Sequence, residues 1–477
     1  MTKRLVFLVI CLFSFSLQSQ EVVLSFKNEE LSRRIKKDSY TIINAENENL
    51  ALIIVERKDA VVYLFDSEFN ELATFKTTNI KSKYKEALGY SIDGNLYSVL
   101  YTNETRKKFA LYHLDFDSKT SRVTEIDLPL NEDELFLDAI SHNNSLFVLS
   151  GNNSTELRLQ KLNTNTKFEN LKTFHLKEIS EHTSLINSKI AIGSFIFAGI
   201  ETSNITKIDP RVPASIERAS NTNKLYQNNE TIYLTFDNNE EATILYTINL
   251  DEINLSVNSF PYPKTRLNDT FKKFNSFIFQ DKIYQIASSN DEMAFEIKDF
   301  KGTVLKDLYV NKDMSINFKN SPIIQEGATA LPFVTTRQLE QTSKYLRKIS
   351  SGSPGINVLK VKDLYYVTLG GYKVINSGSA SPIVSSPSMT TNGFVSYNPT
   401  YLSYSSYAVT KSTYFNTILN SEFNHVKGKL EPNTFDRVSQ YKKNQKYSSA
   451  EDVFYFDNKL YFGYFNLKES QYNLVKF

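Results

Sequence analysis

One short unit, in which strand-like stretches alternate with polar turns, recurs along most of this sequence. Its clearest copy runs from Asn95 to Ile126. Alternation with period two, broken by turn residues, is typical of β-strands joined by tight connections. The three predicted strands of this copy are Leu96–Thr102, Phe109–Leu114 and Ser121–Ile126. The chain is therefore predicted to be all-β.

The turns of this unit recur at a nearly regular interval. Each predicted hairpin turn carries an Asp or Asn, because these side chains bond their own backbone and tolerate left-handed conformations. Successive copies lie 49, 48, 46, 40 and 50 residues apart. An interval of about 40–50 residues is typical of one four-stranded unit in a repeat protein. The turn residues are Asp66, Asp115, Asn163, Asp209, Asn249 and Asp299.

This pattern resembles β-propellers, whose four-stranded antiparallel blades repeat at this interval. The resemblance covers about Glu21–Phe477 and implies a ring of blades, with eight predicted and seven as the alternative. The last segment, Asp452–Phe477, supplies three strands, and Glu21–Phe26 is suited to be the fourth. A ring closed by strands from both termini would leave no exposed sheet edge.

Composition separates the chain from the best-known propeller families. WD40 blades carry Trp-Asp pairs and kelch blades carry Gly-Gly pairs, whereas this sequence has no tryptophan and only 15 glycines. It resembles a divergent propeller, similar in style to uncharacterised secreted or envelope proteins of Bacteroidetes-type bacteria. A short leader that ends in Ser-Gln and the abundance of Asn, Lys and Ile carry that resemblance.

The first 19 residues have the pattern of a secretory signal peptide. Lys3 and Arg4 precede the apolar stretch Leu5–Phe15, which is too short to span a bilayer. Cleavage is expected near Ser19–Gln20, which leaves residues 20–477 as one domain. We therefore expect an exported protein, either periplasmic or extracellular and associated with the outer membrane. No later segment is apolar enough to predict a transmembrane helix.

Charge gives little support for several classes of function. The chain has 55 basic and 53 acidic residues, so a nucleic-acid partner is not expected. Acidic clusters at Glu132–Glu134 and at Asp237 with Glu240–Glu241 lack the spacing of a calcium loop and are predicted to be solvated. No metal site, cofactor or catalytic residue is predicted.

A further strand is predicted late in the chain, over Ser343–Ile349.

One long stretch differs from the rest of the chain. Residues 374–410 contain no charged residue and are rich in serine, and we predict a long insert between two strands of a late blade. Tyrosine and serine together suit a contact surface, because they combine rigid apolar area with adaptable hydrogen bonding. The alternative is a loop that folds over the propeller face. The candidate ligand-binding residues are Tyr397, Tyr401, Tyr404 and Tyr407.

Two functions remain open from the sequence. The first is a non-catalytic binding or scaffold protein that uses propeller loops to contact a protein or glycan of the cell envelope. The alternative is a hydrolase or lyase that acts on polysaccharide or peptide at the central channel. Buried ionisable groups that converge at the channel would favour the enzyme. A rim of Asn, Ser and Tyr would favour binding.

Overall fold

The computed structural model gives the course of most of the chain. Residues 1–19, predicted as the signal peptide, and nearly all of the predicted insert lie outside the described part. For residues 186–203 only the backbone is described. The described residues are 20–57, 59–78, 83–84, 86–103, 105–152, 156–175, 186–192, 195–203, 205–267, 270–326, 336–373, 400 and 412–477.

Three four-stranded antiparallel sheets come first, and in each of them consecutive strands pair. Their first three strands are mostly buried, whereas the fourth strand is largely exposed. Sheet 1 contains β2 (Asp38–Ile43), β3 (Leu50–Glu56), β4 (Asp59–Phe65) and β5 (Glu71–Thr78). Sheet 2 contains β6 (Glu86–Asp93), β7 (Leu96–Thr102), β8 (Phe109–Asp115) and β9 (Thr120–Ile126). Sheet 3 contains β10 (Leu135–His142), β11 (Ser145–Gly151), β12 (Glu156–Leu162) and β13 (Phe168–His175).

A two-stranded sheet, β14 (Ile186–Ile192) and β15 (Phe195–Ser203), separates sheet 3 from sheet 4 in the chain. Sheet 4 has a fifth, parallel strand, β16 (Thr206–Ile208), beside its first regular strand. That sheet continues with β17 (Asn223–Asn228), β18 (Thr231–Phe236), β19 (Ala242–Asn249) and β20 (Asn254–Pro261). Sheet 5 contains β21 (Lys273–Phe279), β22 (Lys282–Ser288), β23 (Glu292–Asp299) and β24 (Val304–Asn311).

The last two sheets depart from the simple meander. Sheet 6 has the spatial order β26-β25-β29-β28-β27, and sheet 7 has the order β1-β32-β31-β30. The strands of sheet 6 are β25 (Ile323–Glu326), β26 (Thr336–Leu339), β27 (Ser353–Val361), β28 (Leu364–Tyr372) and β29 (Thr413–Leu419). Those of sheet 7 are β1 (Glu21–Lys27), β30 (Ser448–Phe456), β31 (Lys459–Asn466) and β32 (Gln471–Lys476). The described helices are α1 (Ile216–Ala219), α2 (Thr342–Ser350) and α3 (Thr434–Lys443).

Apolar clusters pack neighbouring sheets against one another. Separate clusters pack sheet 1 on sheet 2, sheet 2 on sheet 3, and sheet 3 on sheet 4, and one large cluster joins sheets 4, 5 and 6. Sheet 7 packs back on sheet 1, and its other face is covered by α3 and Val212. The fold is an all-β propeller of antiparallel sheets, as predicted. Seven described sheets have four or five strands and one has two, so the predicted count of eight blades is not confirmed.

The chain closes its ring with strands from both ends of the described part. β1 pairs antiparallel with β32, from Glu21 opposite Lys476 to Lys27 opposite Gln471. The Phe26 ring lies 4.5 Å from the Tyr63 ring and 5.5 Å from the Tyr472 ring, measured between centroids. The predicted role of Glu21–Phe26 as the fourth strand of the last sheet is therefore confirmed.

The predicted hairpin turns are confirmed at five of the six positions. In each of these turns the Asp or Asn side chain accepts a hydrogen bond, 2.9–3.0 Å long, from the backbone N–H two residues later. The same bond forms at Asn466, before β32. The five confirmed residues are Asp66, Asp115, Asn163, Asn249 and Asp299. Asp209 accepts the same bond from the Arg211 N–H at 2.9 Å, but its turn belongs to no strand hairpin.

The prediction of a strand over Ser343–Ile349 is wrong, because these residues belong to α2. The buried residues of α2 are Thr342, Tyr345, Leu346 and Ile349, and their spacing of three and four is helical. None of the helices in the described residues has the length and apolar character needed to cross a membrane.

We predict that Phe26→Ala destabilises the protein by about 1.5–3 kcal/mol, because it removes a half-buried aromatic contact at the ring closure. Val22, in the same strand, is 52% exposed, so Val22→Ala is the matched control and should change stability little. Urea unfolding of both variants measures the effect. Equal stability of the two variants would show that the closing strand contributes little.

Candidate functional site

A segment between β15 and β17 crosses the middle of the ring; we call residues 205–220 the central segment. Lys207 Nζ donates a 2.7 Å hydrogen bond to Ala139 O in sheet 3. The Ala214 N–H donates to Asn357 Oδ1 in sheet 6 at 2.9 Å. The Arg211 carbonyl accepts a 3.2 Å bond from the Tyr455 hydroxyl in sheet 7. The central segment therefore connects blades that are far apart in the chain.

The local sequence explains why this segment is not a hairpin. Pro210 and Pro213 fix φ and remove two backbone donors, so they oppose a central strand. The Asp209 side chain accepts the Arg211 N–H at 2.9 Å and makes a tight turn. Ser215 then caps α1 by accepting the Arg218 N–H at 3.2 Å. The segment is thus a short parallel strand, a turn and one helical turn.

Beside the central segment lies a cavity of about 320 Å³. Ligand pockets commonly have volumes of about 300–1,000 Å³, so this one falls at the small end. The first strands of several blades line it near their C-terminal ends, together with Lys207, Asp209 and Arg211. The other polar lining residues are Thr41, Tyr90, Ser141, His142, Asn143, Gln227, Asn228, Asn229, Thr400 and Tyr455.

A buried carboxylate holds the cation of this cavity. Asp209 is 3% exposed. Its Oδ1 lies 3.0 Å from Arg211 Nε, and its Oδ2 lies 2.9 Å from Arg211 Nη2 and accepts the Thr400 hydroxyl at 2.6 Å. Burial by itself raises the pKa of Asp209, but the Arg211 charge and these hydrogen bonds outweigh it and hold that pKa below its usual value. Asp209 is therefore an ionised anchor.

The Arg211 guanidinium is held by one edge only. Its carbon lies 4.7 Å from the centroid of the Tyr455 ring, and its side chain is 57% exposed. Nε and Nη2 are bound to Asp209, whereas Nη1 has no partner among the described residues. A guanidinium fixed in this way presents free N–H donors to an incoming oxygen atom. Burial also raises the pKa of the adjacent Tyr90 to about 12, so this tyrosine is a neutral hydroxyl.

His142 supplies a second adaptable group at the rim. Its Nε2 lies 3.3 Å from Asp251 Oδ1 and 3.0 Å from Asn143 Nδ2. The neutral ring can accept from Asn143, whereas the protonated ring can donate to Asp251. Asn143 and Asn144 form the adjoining turn with φ values of 44° and 58°, a conformation that asparagine tolerates well.

The polar rim suits binding better than acid–base catalysis. Asp209 is the only carboxylate lining the cavity within the described residues, and Arg211 and Thr400 occupy its oxygens. Lys207 is tied to a carbonyl and lies 3.8 Å from Asp138. The remaining lining groups are mainly amides, hydroxyls and tyrosines. No cluster of three or more metal-ligating side chains occurs in the described parts of the chain.

The four candidate tyrosines, Tyr397, Tyr401, Tyr404 and Tyr407, lie outside the described residues. Their assignment as contact residues stays a prediction. Thr400 belongs to the same predicted insert and is described; it is 2% exposed and donates its hydroxyl proton to Asp209. At this residue the insert therefore reaches the centre of the ring.

The prediction that both acidic clusters are solvated is wrong for one residue of each. Glu134 is 5% exposed and pairs with Arg158 Nη1 at 2.5 Å. Asp237 is 4% exposed; it pairs with Lys224 Nζ at 3.0 Å and accepts the Tyr262 hydroxyl at 2.9 Å. Each acid meets a cation from another strand of the same sheet, which offsets the cost of burial. A pattern read along the chain does not show such partners.

Asp209 and Arg211 were not predicted as functional residues. The sequence contains one hint that this stretch differs from the others. It is a weaker copy of the repeat, with prolines at positions where a strand would alternate apolar and polar residues. The intervals of 46 and 40 residues on either side of Asp209 therefore do not correspond to two repeats. They span one inserted sheet and the central segment.

No protein-family model matches the chain, and no curated protein matches its sequence. A solved member of the DUF4221 family from Bacteroides vulgatus is similar at 10% identity and TM-score 0.33, covering 92% of this chain and 98% of that one. The WD40 domain of SCAP from fission yeast has 10% identity and TM-score 0.33, with coverages of 96% and 97%. The Nup133 β-propeller domain from Vanderwaltozyma polyspora has 10% identity and TM-score 0.32, with coverages of 97% and 99%. Such weak likeness assigns no function, and the propeller fold follows from the sheets themselves.

We predict that Asp209→Asn lowers stability by about 1–3 kcal/mol at pH 7, because it removes a charge-assisted pair. The folded-state pKa of Asp209 lies below its unfolded value of about 3.9, so its contribution is present above that pH. It is lost as the pH falls through the folded value. Urea unfolding from pH 7 to pH 3 should show the two proteins converging in acid.

The control is Asp457→Asn, which removes an exposed partner of Lys459 and should have little effect at any pH. If the difference between the native protein and Asp209→Asn were equally large at pH 3 and pH 7, the pair would not be ionic.

Proposed function

We propose that this protein is an exported, non-catalytic binding protein of the bacterial envelope that takes up an oligosaccharide at its central cavity. The observation that carries the proposal is Arg211, which a buried carboxylate fixes while Nη1 has no partner among the described residues. The other polar groups that line the described part of the cavity are mainly amides and hydroxyls, and Asp209 is the one carboxylate among them. This arrangement suits a recognition site more than a reaction centre.

The chemistry of the cavity favours a ligand rich in oxygen atoms. Asn228 and Asn229 have no side-chain hydrogen bond within the described residues, and their amides both donate and accept. Tyr90 and Tyr455 combine an apolar ring with a hydroxyl. Asp209 neutralises Arg211, so the site does not select a strongly charged ligand. Sugar hydroxyl and carbonyl groups fit this mixture of donors, acceptors and ring surfaces.

The alternative, a hydrolase or lyase, has less support. Glycoside hydrolysis generally uses two carboxyl groups on opposite sides of the scissile bond. One lines this cavity in the described part of the chain, and it is already paired with Arg211. A protein partner that contacts the same face of the ring would remain compatible with a binding function.

Export to the envelope is the second part of this proposal. The signal-like pattern of residues 1–19 supports it. Cell fractionation with mass spectrometry of the mature N-terminus is the test. We expect an exported chain that begins near Gln20, and an intact N-terminus in the cytoplasm would contradict export.

We predict that Asn228→Ala and Arg211→Lys each weaken oligosaccharide binding by roughly tenfold, because each removes hydrogen bonds to the ligand. Arg211→Lys keeps the charge beside Asp209 but loses the planar fork. A glycan array of bacterial envelope polysaccharides identifies the ligand, and calorimetry then measures Kd. Asn165→Ala, at an exposed turn of sheet 3, is the control.

Loss of binding in Asn228→Ala with an unchanged unfolding midpoint would support the cavity as the site. If no glycan binds, or if both cavity variants bind like the control, the proposed function is wrong. Release of a cleaved glycan product by the native protein would establish the alternative.

A further inference from the structure

A second concave surface lies at the edge of sheet 6, apart from the central cavity. We call it the basic pocket and define it by Arg337, Lys344, Arg347, Lys348 and Lys373. Its volume is about 670 Å³. Arg337 comes from β26, the next three residues from α2, and Lys373 directly follows β28. Three separate elements thus bring five cations to one pocket.

The packing of α2 determines this arrangement. Tyr345 and Ile349 are fully buried, and the Tyr345 hydroxyl donates to Leu369 O in β28 at 3.1 Å. Gly371 permits the close approach, since a Cβ there would lie 2.9 Å from the Ile349 Cα. The apolar face of α2 is thereby fixed on sheet 6. Its opposite face, with Lys344 and Arg347, remains exposed.

The charge of the pocket is not compensated by nearby acids. None of Lys344, Arg347, Lys348 and Lys373 forms an ion pair with any described residue, and Arg337 Nε donates to the neutral Gln325 Oε1 at 2.8 Å. Glu340 is the one acid among the described lining residues. The adjoining segments 327–335 and 374–411 contain no Asp or Glu in their sequence. These segments therefore cannot neutralise the pocket.

The electrostatics of Lys348 agree with this excess of cations. Burial lowers the pKa of Lys348, and the like charges of Arg337, Lys373 and Arg347 lower it further. A group in this position gains from any anion that enters the pocket. Arg347 and Lys348 also lie in the last turn of α2, where the helix dipole favours positive charge.

We propose that the basic pocket binds a compact ligand that carries at least two phosphate or sulfate groups. Arginine forks match such oxyanions bidentately, and lysines add point charges around them. A single small anion would leave most of the five cations unpaired. A flat bilayer surface would reach the rim of a concave pocket less well than a discrete ligand does. This site is independent of the proposed glycan site at the ring centre.

The test is a titration of the full mature chain with pyrophosphate and with inositol hexakisphosphate, followed by calorimetry. We expect binding that weakens as salt rises. The double variant Arg347→Gln/Lys348→Gln should raise Kd at least roughly tenfold, because it removes two charge-assisted contacts. The control Lys319→Gln/Lys446→Gln removes the same charge from exposed positions elsewhere and should bind like the native protein.

Two outcomes would overturn the proposal. One is equal loss of binding in the pocket and control variants, which would indicate only net charge. The other is binding to vesicles of phosphatidylglycerol without binding to either soluble anion, which would indicate a lipid surface instead. Unfolding midpoints of both double variants show whether they fold, and Lys344→Gln, fully on the exposed face, provides a milder variant of the pocket.

Discussion

The antiparallel pairing of β1 with β32 is the interaction on which the rest of the ring depends. An unpaired β32 would expose a row of backbone donors and acceptors. Further contacts join sheet 7 to the start of sheet 1: the Lys37 N–H donates to Ser449 Oγ at 2.6 Å, and the Ala450 N–H donates to Lys37 O at 2.8 Å. Lys37 Nζ is itself buried and lies 3.0 Å from Glu56 Oε2. Closure fixes sheet 7, and with it Tyr455, relative to the rest of the molecule.

A closed ring leaves space along its axis, and the central segment occupies that space. Because the segment contacts sheets 3, 4, 6 and 7, its turn at Asp209 is held from several sides. A carboxylate buried there needs a cation, and Arg211 supplies it. Because Asp209 needs this cation, it also holds the Arg211 guanidinium in place at the cavity. The guanidinium is therefore positioned before any ligand binds. The basic pocket has the opposite character, because its cations form no ion pair with any described residue and an external anion could pair with them.

The fold could be predicted because its signals are local. Alternation with period two and an Asp or Asn at each turn identify the hairpins, and the apolar Glu21–Phe26 completes a sheet that lacks one strand. The site could not be predicted in the same way. Asp209 has the turn chemistry of Asp66 or Asp115, and only tertiary packing places it at the ring centre. Likewise, the partners of Glu134 and Asp237 lie on other strands, which the sequence does not show. In α2 the apolar residues span so few positions that their helical spacing can be mistaken for the pattern of a strand.

Hydrogen–deuterium exchange of the mature protein, with and without a mixture of envelope oligosaccharides, tests the central claim most directly. The account predicts slower exchange of the amides in 142–144, 209–212 and 228–230, which surround Arg211. Exchange in the outer turns 66–70 and 163–167 should not change, because these lie away from the cavity. Slowing confined to those outer turns, or no slowing anywhere in the presence of bound glycan, would contradict a binding site at the centre of the ring.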